Sequence, residues 1–96
     1  MASVFISYSG TDREIMQRYL VDLQKLGVSV WSDENLQVGG IDWAVEIEKA
    51  IESADVFVVL LSPEAKESKW IRREISYAQQ LDKRIFALLV RGNIRE

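Results

Sequence analysis

The sequence predicts a doubly wound α/β domain, in which helices cover both faces of a parallel sheet. Short β-type segments alternate with amphipathic helical segments along the 96 residues, and this alternation is typical of βαβ units. Two of the segments, Val56–Leu61 and Ile85–Val90, are apolar at every position, as strands covered on both faces of a parallel sheet are. Right-handed crossovers then place helices on both sides of the sheet.

The first βα unit is predicted near the amino terminus. Val4–Ile6 is a β-branched and aromatic run, and the polar turn Ser7–Gly10 follows it. Thr11–Glu14 matches a capping box, in which a hydroxyl and a carboxylate three positions later satisfy each other's free amides. We therefore expect a helix from about Asp12 to Leu26, and apolar residues recur there at helical spacing.

The second unit begins with a short alternating segment. Val28–Ser32 has a period of two, which predicts a half-covered strand. Asp33–Gly40 has the composition of a loop and ends in two glycines. A second amphipathic helix is expected from Asp42, a suitable N-cap, to near Ser53.

The last elements are two strands and the helix between them. Val56–Leu61 predicts a buried strand, which Ser62-Pro63 ends. A third helix is expected over roughly Ser68–Leu81, and Ile85–Val90 predicts the fourth strand. Native proteins rarely leave a long apolar strand as an uncovered edge. We therefore expect the natural chain to continue past this strand, or a partner to cover it.

The composition excludes several classes of function. The chain has no Cys and no His, so disulfide frameworks, thiolate zinc sites and the commonest catalytic base and metal ligand are absent. The formal charge of -3 provides no basic surface for a nucleic acid, and no apolar run approaches the ~20 residues of a membrane helix. We expect one cytoplasmic domain without a metal, a signal peptide, a membrane contact or a direct nucleic-acid partner.

One carboxylate falls where apolar side chains are expected. On a helical wheel that starts at Trp70, Glu74 lies at about 40°, inside an apolar arc of roughly 160°. A carboxylate on a packing face lines a cleft or pairs with a cation, because burying it alone costs several kcal/mol. Its position leaves two interpretations open: a functional carboxylate, or a structural ion pair with a residue such as Lys49 or Arg84.

A series of motifs gives a more specific indication. In chain order they are Phe5-Ile6-Ser7-Tyr8-Ser9, Asp12-Arg13, Val30-Trp31-Ser32-Asp33, Gly39-Gly40, Leu61-Ser62-Pro63 and Trp70-Ile71-Arg72-Arg73-Glu74. Together they resemble a Toll/interleukin-receptor (TIR) domain of the bacterial kind, from Val4 to Val90. The resemblance implies a flavodoxin-like parallel sheet. That family fold usually has a fifth strand and a last helix, which residues 1–96 do not supply, so we expect the N-terminal part of a longer TIR protein.

The resemblance also implies an enzyme. In catalytic members the Glu of a W-x-x-x-E segment cleaves the nicotinamide–ribose bond of NAD+, and Glu74 matches that position. NAD+ would be the substrate, with no further cofactor. Nicotinamide leaves as a neutral ring, so one carboxylate can suffice, unlike the pair used in ordinary glycoside hydrolysis. Glu74 would stabilise the positive charge that develops on the ribose, and the product would be ADP-ribose or a cyclic form.

Other residues at the carboxyl ends of the strands are candidates for substrate binding, and each has a structural alternative. Tyr8, Ser9 and Gly10 could contact ribose or phosphate, or form an ordinary turn before a helix. Asp33 could reach a ribose hydroxyl or start a turn. Trp70 could form a wall of the nicotinamide pocket or belong to the core.

The loop Asp33–Gly40 corresponds to the BB loop of the family. In assembling relatives this loop completes the pocket of the next copy, so that activity follows clustering. Leu36, Val38, Gly39 and Gly40 would form the assembly surface. The resemblance thus implies head-to-tail contacts with other TIR domains, a regulatory or sensor module, and a place in bacterial antiphage defence.

The main alternative is a non-catalytic TIR adaptor that signals by homotypic contact, since both functions share a fold. A phosphoacceptor receiver domain would have an Asp at the end of the third strand, where this chain has Ser62-Pro63. A Rossmann dehydrogenase would have G-x-G-x-x-G after a strand, and Gly39-Gly40 lack that spacing.

Overall fold

A computed structural model of the chain describes residues 2–32 and 43–92. They form a four-stranded parallel sheet in the order β2-β1-β3-β4. The strands are β1 (Ser3–Ser7), β2 (Ser29–Trp31), β3 (Val56–Leu61) and β4 (Arg84–Leu89). The helices are α1 (Arg13–Lys25), α2 (Trp43–Ser53), α3 (Pro63–Glu67) and α4 (Lys69–Gln80), with a 3-10 turn at Gly10–Asp12. The predicted flavodoxin-like α/β class is confirmed.

Side chains alternate along β1 between the two faces of the sheet, and each face has its own core. Phe5 belongs to the core under α2 and α4, where its ring stacks on that of Phe57 with 5.8 Å between centroids. Ile6 points the other way and packs with Met16 of α1 and with Leu60. Ser7 is the next residue of β1 on the same face as Phe5, so its hydroxyl lies on the α2 and α4 side of the sheet.

The capping box predicted at Thr11–Glu14 is wrong. The hydroxyl of Ser9 accepts from the Thr11 amide and caps the 3-10 turn, while Asp12, the N-cap of α1, makes no side-chain cap hydrogen bond. The buried Asp12 carboxylate instead accepts from Ser62 Oγ at 2.5 Å and from Arg91 Nε at 2.9 Å. These long-range donors take the carboxylate away from the local amides, and α1 begins after it.

The short helix α3 was not predicted from the sequence. Ser62 ends β3, and its hydroxyl accepts from the Ala65 amide at 3.2 Å, with Pro63 in the first turn of the helix. The hydroxyl of Ser68 then caps α4 by accepting from the Ile71 amide at 3.2 Å. Two N-caps in succession therefore divide the connection between β3 and β4 into two helices.

β4 is less covered than its sequence predicts. Phe86, Leu88 and Leu89 are 48%, 37% and 45% exposed, and in the described sheet this strand pairs with β3 alone. The prediction of burial on both faces is therefore wrong for this strand among residues 43–92. That further chain or a partner covers it stays a prediction.

Across the two described ranges, every helix is too short or too polar to cross a bilayer.

We predict that Asp12→Ala lowers the free energy of unfolding by about 1–3 kcal/mol, because Ser62 and Arg91 lose a buried acceptor. Denaturant titration followed by circular dichroism measures the loss. Glu64→Ala is the matched control, since it removes the other carboxylate that Arg91 contacts, but on the surface, where ion pairs contribute little. Equal losses in the two variants would contradict the structural role of Asp12.

Candidate active site

Glu74 lies in the second turn of α4 and is 3% exposed. Ile71 and Ala78 are buried on the same helix face, so the carboxylate shares the stripe that packs on the sheet. The inward direction expected from the helical wheel is confirmed. A carboxylate in this position needs hydrogen-bond donors, because its desolvation is costly.

Ser7, the last residue of β1, supplies one donor. Its Oγ donates to Glu74 Oε1 at 2.9 Å, and Ser7 is 0% exposed. Ser7 is paired with Val59 in the sheet register. Arg84, which was considered as an ion-pair partner of Glu74, is paired with Val56 near the opposite ends of the strands. From the sequence, Ser7 was predicted as part of a polar turn and not as a site residue. The available signal was a hydroxyl two positions after Phe5, on the same face of a central strand.

A cavity of about 230 Å³ lies between α2 and α4, and Glu74 is part of its wall. Its lining combines apolar side chains with a few charged and hydroxyl groups, an arrangement common in small-molecule sites. The residues around it are Ala44, Ile47, Glu48 and Ile51 of α2 with Trp70, Arg73, Glu74, Ser76, Tyr77 and Gln80 of α4. Trp70 is partly buried against the core and also lines this cavity; a contact with nicotinamide stays a prediction.

Arg73 lies on the solvent side of this cavity and contacts one residue of α4 and one residue of α2. Its guanidinium lies 5.4 Å from the centroid of the Trp70 ring and 3.7 Å from Glu48 Oε1. The Arg73 side chain is 61% exposed, so water screens the ion pair and its contribution to stability is small. The contact with the indole face places a cation beside the Trp70 wall.

Tyr77 forms a second link between α4 and α2. Its hydroxyl donates to Glu52 Oε1 at 2.5 Å. This hydrogen bond, with smaller effects of burial and of the charges of Glu52 and Glu48, raises the pKa of Tyr77 to about 12. The neutral phenol that donates to Glu52 is therefore the form present at neutral pH.

The predicted substrate-binding residues of the β1–α1 turn lie elsewhere along the sheet edge. Tyr8 packs against the core on the α1 side, across the sheet from Glu74. Ser9 caps the 3-10 turn. Gly10 is exposed, and within residues 2–32 and 43–92, its chain neighbours aside, no atom lies within 4 Å of where its Cβ would be. The structure thus brings Trp70 to Glu74, but it does not bring Tyr8 to the same face.

Five predicted residues fall outside the described ranges. They are Asp33, Leu36, Val38, Gly39 and Gly40. Their assigned roles stay predictions.

A second polar cluster lies at the carboxyl ends of β3 and β4. Arg91 contacts Asp12 and Glu64, and Thr11 Oγ1 donates to Glu64 Oε2 at 3.2 Å. The hydrogen bond from Arg91 holds the pKa of Glu64 below its usual value. The contribution of Glu64 to stability is therefore present above its unfolded pKa and is lost as the pH falls through the lower folded value.

No group of three or more Asp or Glu side chains that could hold a metal ion occurs in the described part of the chain.

The fold and this site define a flavodoxin-like α/β domain with a buried glutamate that lines a cavity. Residues 4–96 match the family model of the TIR domain. The chain belongs to the TIR domain family.

Similar proteins include one named as a cyclic ADP-ribose synthase and one named as an NAD+ hydrolase. The chain is 35% identical over 72 residues to the probable 2' cyclic ADP-D-ribose synthase TcpO of Methanobrevibacter olleyae, covering 74% of this chain and 21% of that protein. It is 33% identical over 72 residues to the NAD(+) hydrolase TcpC of Escherichia coli O6:H1 (strain CFT073), covering 74% and 24%. The chain therefore spans about a fifth to a quarter of these relatives.

Among solved structures, the TIR domain of the Toll-related receptor TRR-2 of Hydra magnipapillata is similar, with a TM-score of 0.81 and 23% identity. The match covers 94% of this chain and 71% of that chain. The likeness supports the shared fold.

We predict that Tyr77 ionises near pH 12, about two units above an ordinary tyrosine. Because the pKa of Tyr77 is higher in the folded than in the unfolded chain, its hydrogen bond to Glu52 stabilises the folded state fully below pH ~10. This stabilisation is lost between pH ~10 and ~12. Ultraviolet titration of tyrosinate measures the step, and Tyr77→Phe assigns it by removing it. Glu52→Gln should bring the step down towards pH ~10, and an unchanged midpoint would contradict Glu52 as the cause.

Proposed function

We propose that this TIR domain cleaves the bond between nicotinamide and ribose in NAD+, with Glu74 as the catalytic residue. The observation that carries the proposal is a glutamate that is only 3% exposed and nevertheless lines a cavity of about 230 Å³. Membership of the TIR family and the names of the relatives TcpO and TcpC support the substrate.

The cavity suits one end of a dinucleotide. Pockets for complete small molecules commonly measure ~300–1,000 Å³, so a cavity of about 230 Å³ has room for a nicotinamide ring and part of its ribose. The ring would pack against the Trp70 indole, since aromatic faces attract one another and attract cations. Glu74, one turn further along α4, would then face the sugar.

The chemistry needs a carboxylate but no general acid. The C1'–N glycosidic bond breaks, and its electron pair goes to the nicotinamide nitrogen, which becomes neutral. The positive charge passes to the ribose C1' and its ring oxygen. Glu74 stabilises this charge and accepts hydrogen bonds from the ribose hydroxyls. Water then adds to C1' and releases a proton, which gives ADP-ribose; attack by a nucleophile within the substrate would give a cyclic product.

The rest of the substrate would lie outside the cavity, along the carboxyl ends of the strands. Gly10 is exposed, and the described residues leave the space beside its backbone open, so a phosphate or ribose could approach there. We assign Ser9 and Gly10 to such contacts. Tyr8 and Asp33 are proposed for the same part of the substrate, on the resemblance alone.

The proposal includes activation by assembly. Residues 33–42 connect directly to α2, whose residue Ala44 lines the cavity. A neighbouring copy that binds Leu36, Val38, Gly39 and Gly40 would therefore contact this chain just before α2 in the sequence, the helix that contributes Ala44 to the cavity. The setting is the one that the resemblance implies: a cytoplasmic effector of bacterial antiphage defence, assembled by a sensor module, with NAD+ as substrate and no cofactor.

We predict that the purified protein releases nicotinamide from NAD+ at a rate per molecule that rises with protein concentration. Glu74→Gln should lower the rate by about 100- to 1,000-fold, because it removes the group that stabilises the developing charge. Chromatography of nicotinamide measures both effects and identifies the second product. Glu67→Gln is the matched control, because it makes the same chemical change at an exposed position and should retain full activity.

Two results would contradict the proposal at different levels. Undiminished cleavage by a folded Glu74→Gln variant would overturn the role of Glu74 but not the reaction. Absence of nicotinamide at every protein concentration would overturn the reaction and favour the non-catalytic adaptor.

A further inference from the structure

Ser7 occupies a rigid part of the molecule. It ends β1, which pairs with β2 on one side and β3 on the other, and Ser7 itself is in register with Val59 of β3. Its side chain is on the α2 and α4 face, where Phe5 precedes it in the core. The position of the Ser7 hydroxyl is therefore set by the sheet and not by a loop.

This hydroxyl contacts the residue of α4 to which the proposed function assigns the catalytic role. Ser7 Oγ donates to Glu74 Oε1 at 2.9 Å, between residues 67 positions apart. Both are buried, at 0% and 3% exposure. The last torsion of a Glu side chain has only a broad preference, so a donor on one oxygen sets the direction of the whole carboxylate.

A purely structural role does not require a hydroxyl in this place. On the same face of the sheet the core is built from apolar residues, among them Phe5, Phe57 and Val59. Replacing a buried polar pair by apolar groups of similar shape is often neutral or stabilising. A serine that meets a glutamate here keeps a carboxylate in a costly position and fixes its orientation.

We propose that Ser7 is a positioning residue for Glu74: its hydrogen bond holds the carboxylate in the wall of the α2–α4 cavity in the orientation that faces the substrate sugar. The inference rests on the proposed function. Ser7 touches no substrate atom; it acts through Glu74. Loss of its hydroxyl therefore reduces turnover and leaves substrate binding nearly unchanged.

The test uses steady-state nicotinamide release by the wild-type chain and by Ser7→Ala, Ser7→Cys and Ser62→Ala. Ser7→Cys keeps the size of the side chain but donates weakly, so it separates hydrogen bonding from packing. Ser62→Ala is the matched control, because Ser62 is also 0% exposed, directly follows β3 and donates to a carboxylate, that of Asp12. Melting temperatures show that each variant is folded.

We expect Ser7→Ala and Ser7→Cys to lower kcat by about 10- to 100-fold, the scale of a misplaced catalytic group, with KM within about twofold. Ser62→Ala should keep kcat within about threefold of wild type once it is folded. Combined with Glu74→Gln, Ser7→Ala should cause no further loss, since its effect passes through residue 74.

Results other than these would contradict either the role of Ser7 or the proposed function. Full activity of Ser7→Cys, equal losses in Ser7→Ala and Ser62→Ala, or additive losses with Glu74→Gln would overturn the role of Ser7 and leave the proposed reaction intact. A wild-type chain that releases no nicotinamide would overturn the proposed function, and the role of Ser7 in turnover with it.

Discussion

The cost of burying one carboxylate shapes the centre of this domain. Glu74 lies on the packing face of α4 at 3% exposure, where water no longer solvates it and a lone charge would be expensive. The chain meets this cost in part with the Ser7 hydroxyl at 2.9 Å. Because β1 carries the donor and α4 the acceptor, this hydrogen bond connects the cavity wall to the middle of the sheet. The proposed chemistry depends on this hydrogen bond.

The parallel sheet makes this arrangement available. Ser7, Ser62 and Arg91 follow or end neighbouring strands, so their polar atoms gather at one edge, where ligands of open α/β sheets bind. The polar groups at this edge lie on the two different faces of the sheet. Ser7 points to Glu74, whereas Ser62 and Arg91 hold Asp12. One set lies beside a cavity, and the other secures the turn before α1.

The sequence predicts the elements with a clear period and misses those set by distant partners. The wheel placed Glu74 inward correctly, because the apolar residues of α4 fix its phase. Its hydrogen bond with Ser7 joins residues 67 positions apart, so no local pattern indicates it. The capping box failed for a related reason, since the Thr11 hydroxyl donates to the distant Glu64 and the N-cap residue Asp12 has tertiary donors in Ser62 and Arg91. β4 has the composition of a covered strand, yet composition alone does not say what covers it.

The most direct measurement is a crystal structure of the Glu74→Gln chain soaked with NAD+, in which the distance from the residue 74 side chain to the nicotinamide ribose is read. The account predicts the nicotinamide against Trp70 and a ribose hydroxyl within about 3 Å of the residue 74 amide, a hydrogen-bond distance, with Ser7 still bonded to it. A dinucleotide bound with its nicotinamide ribose away from the α2–α4 cavity would contradict the account.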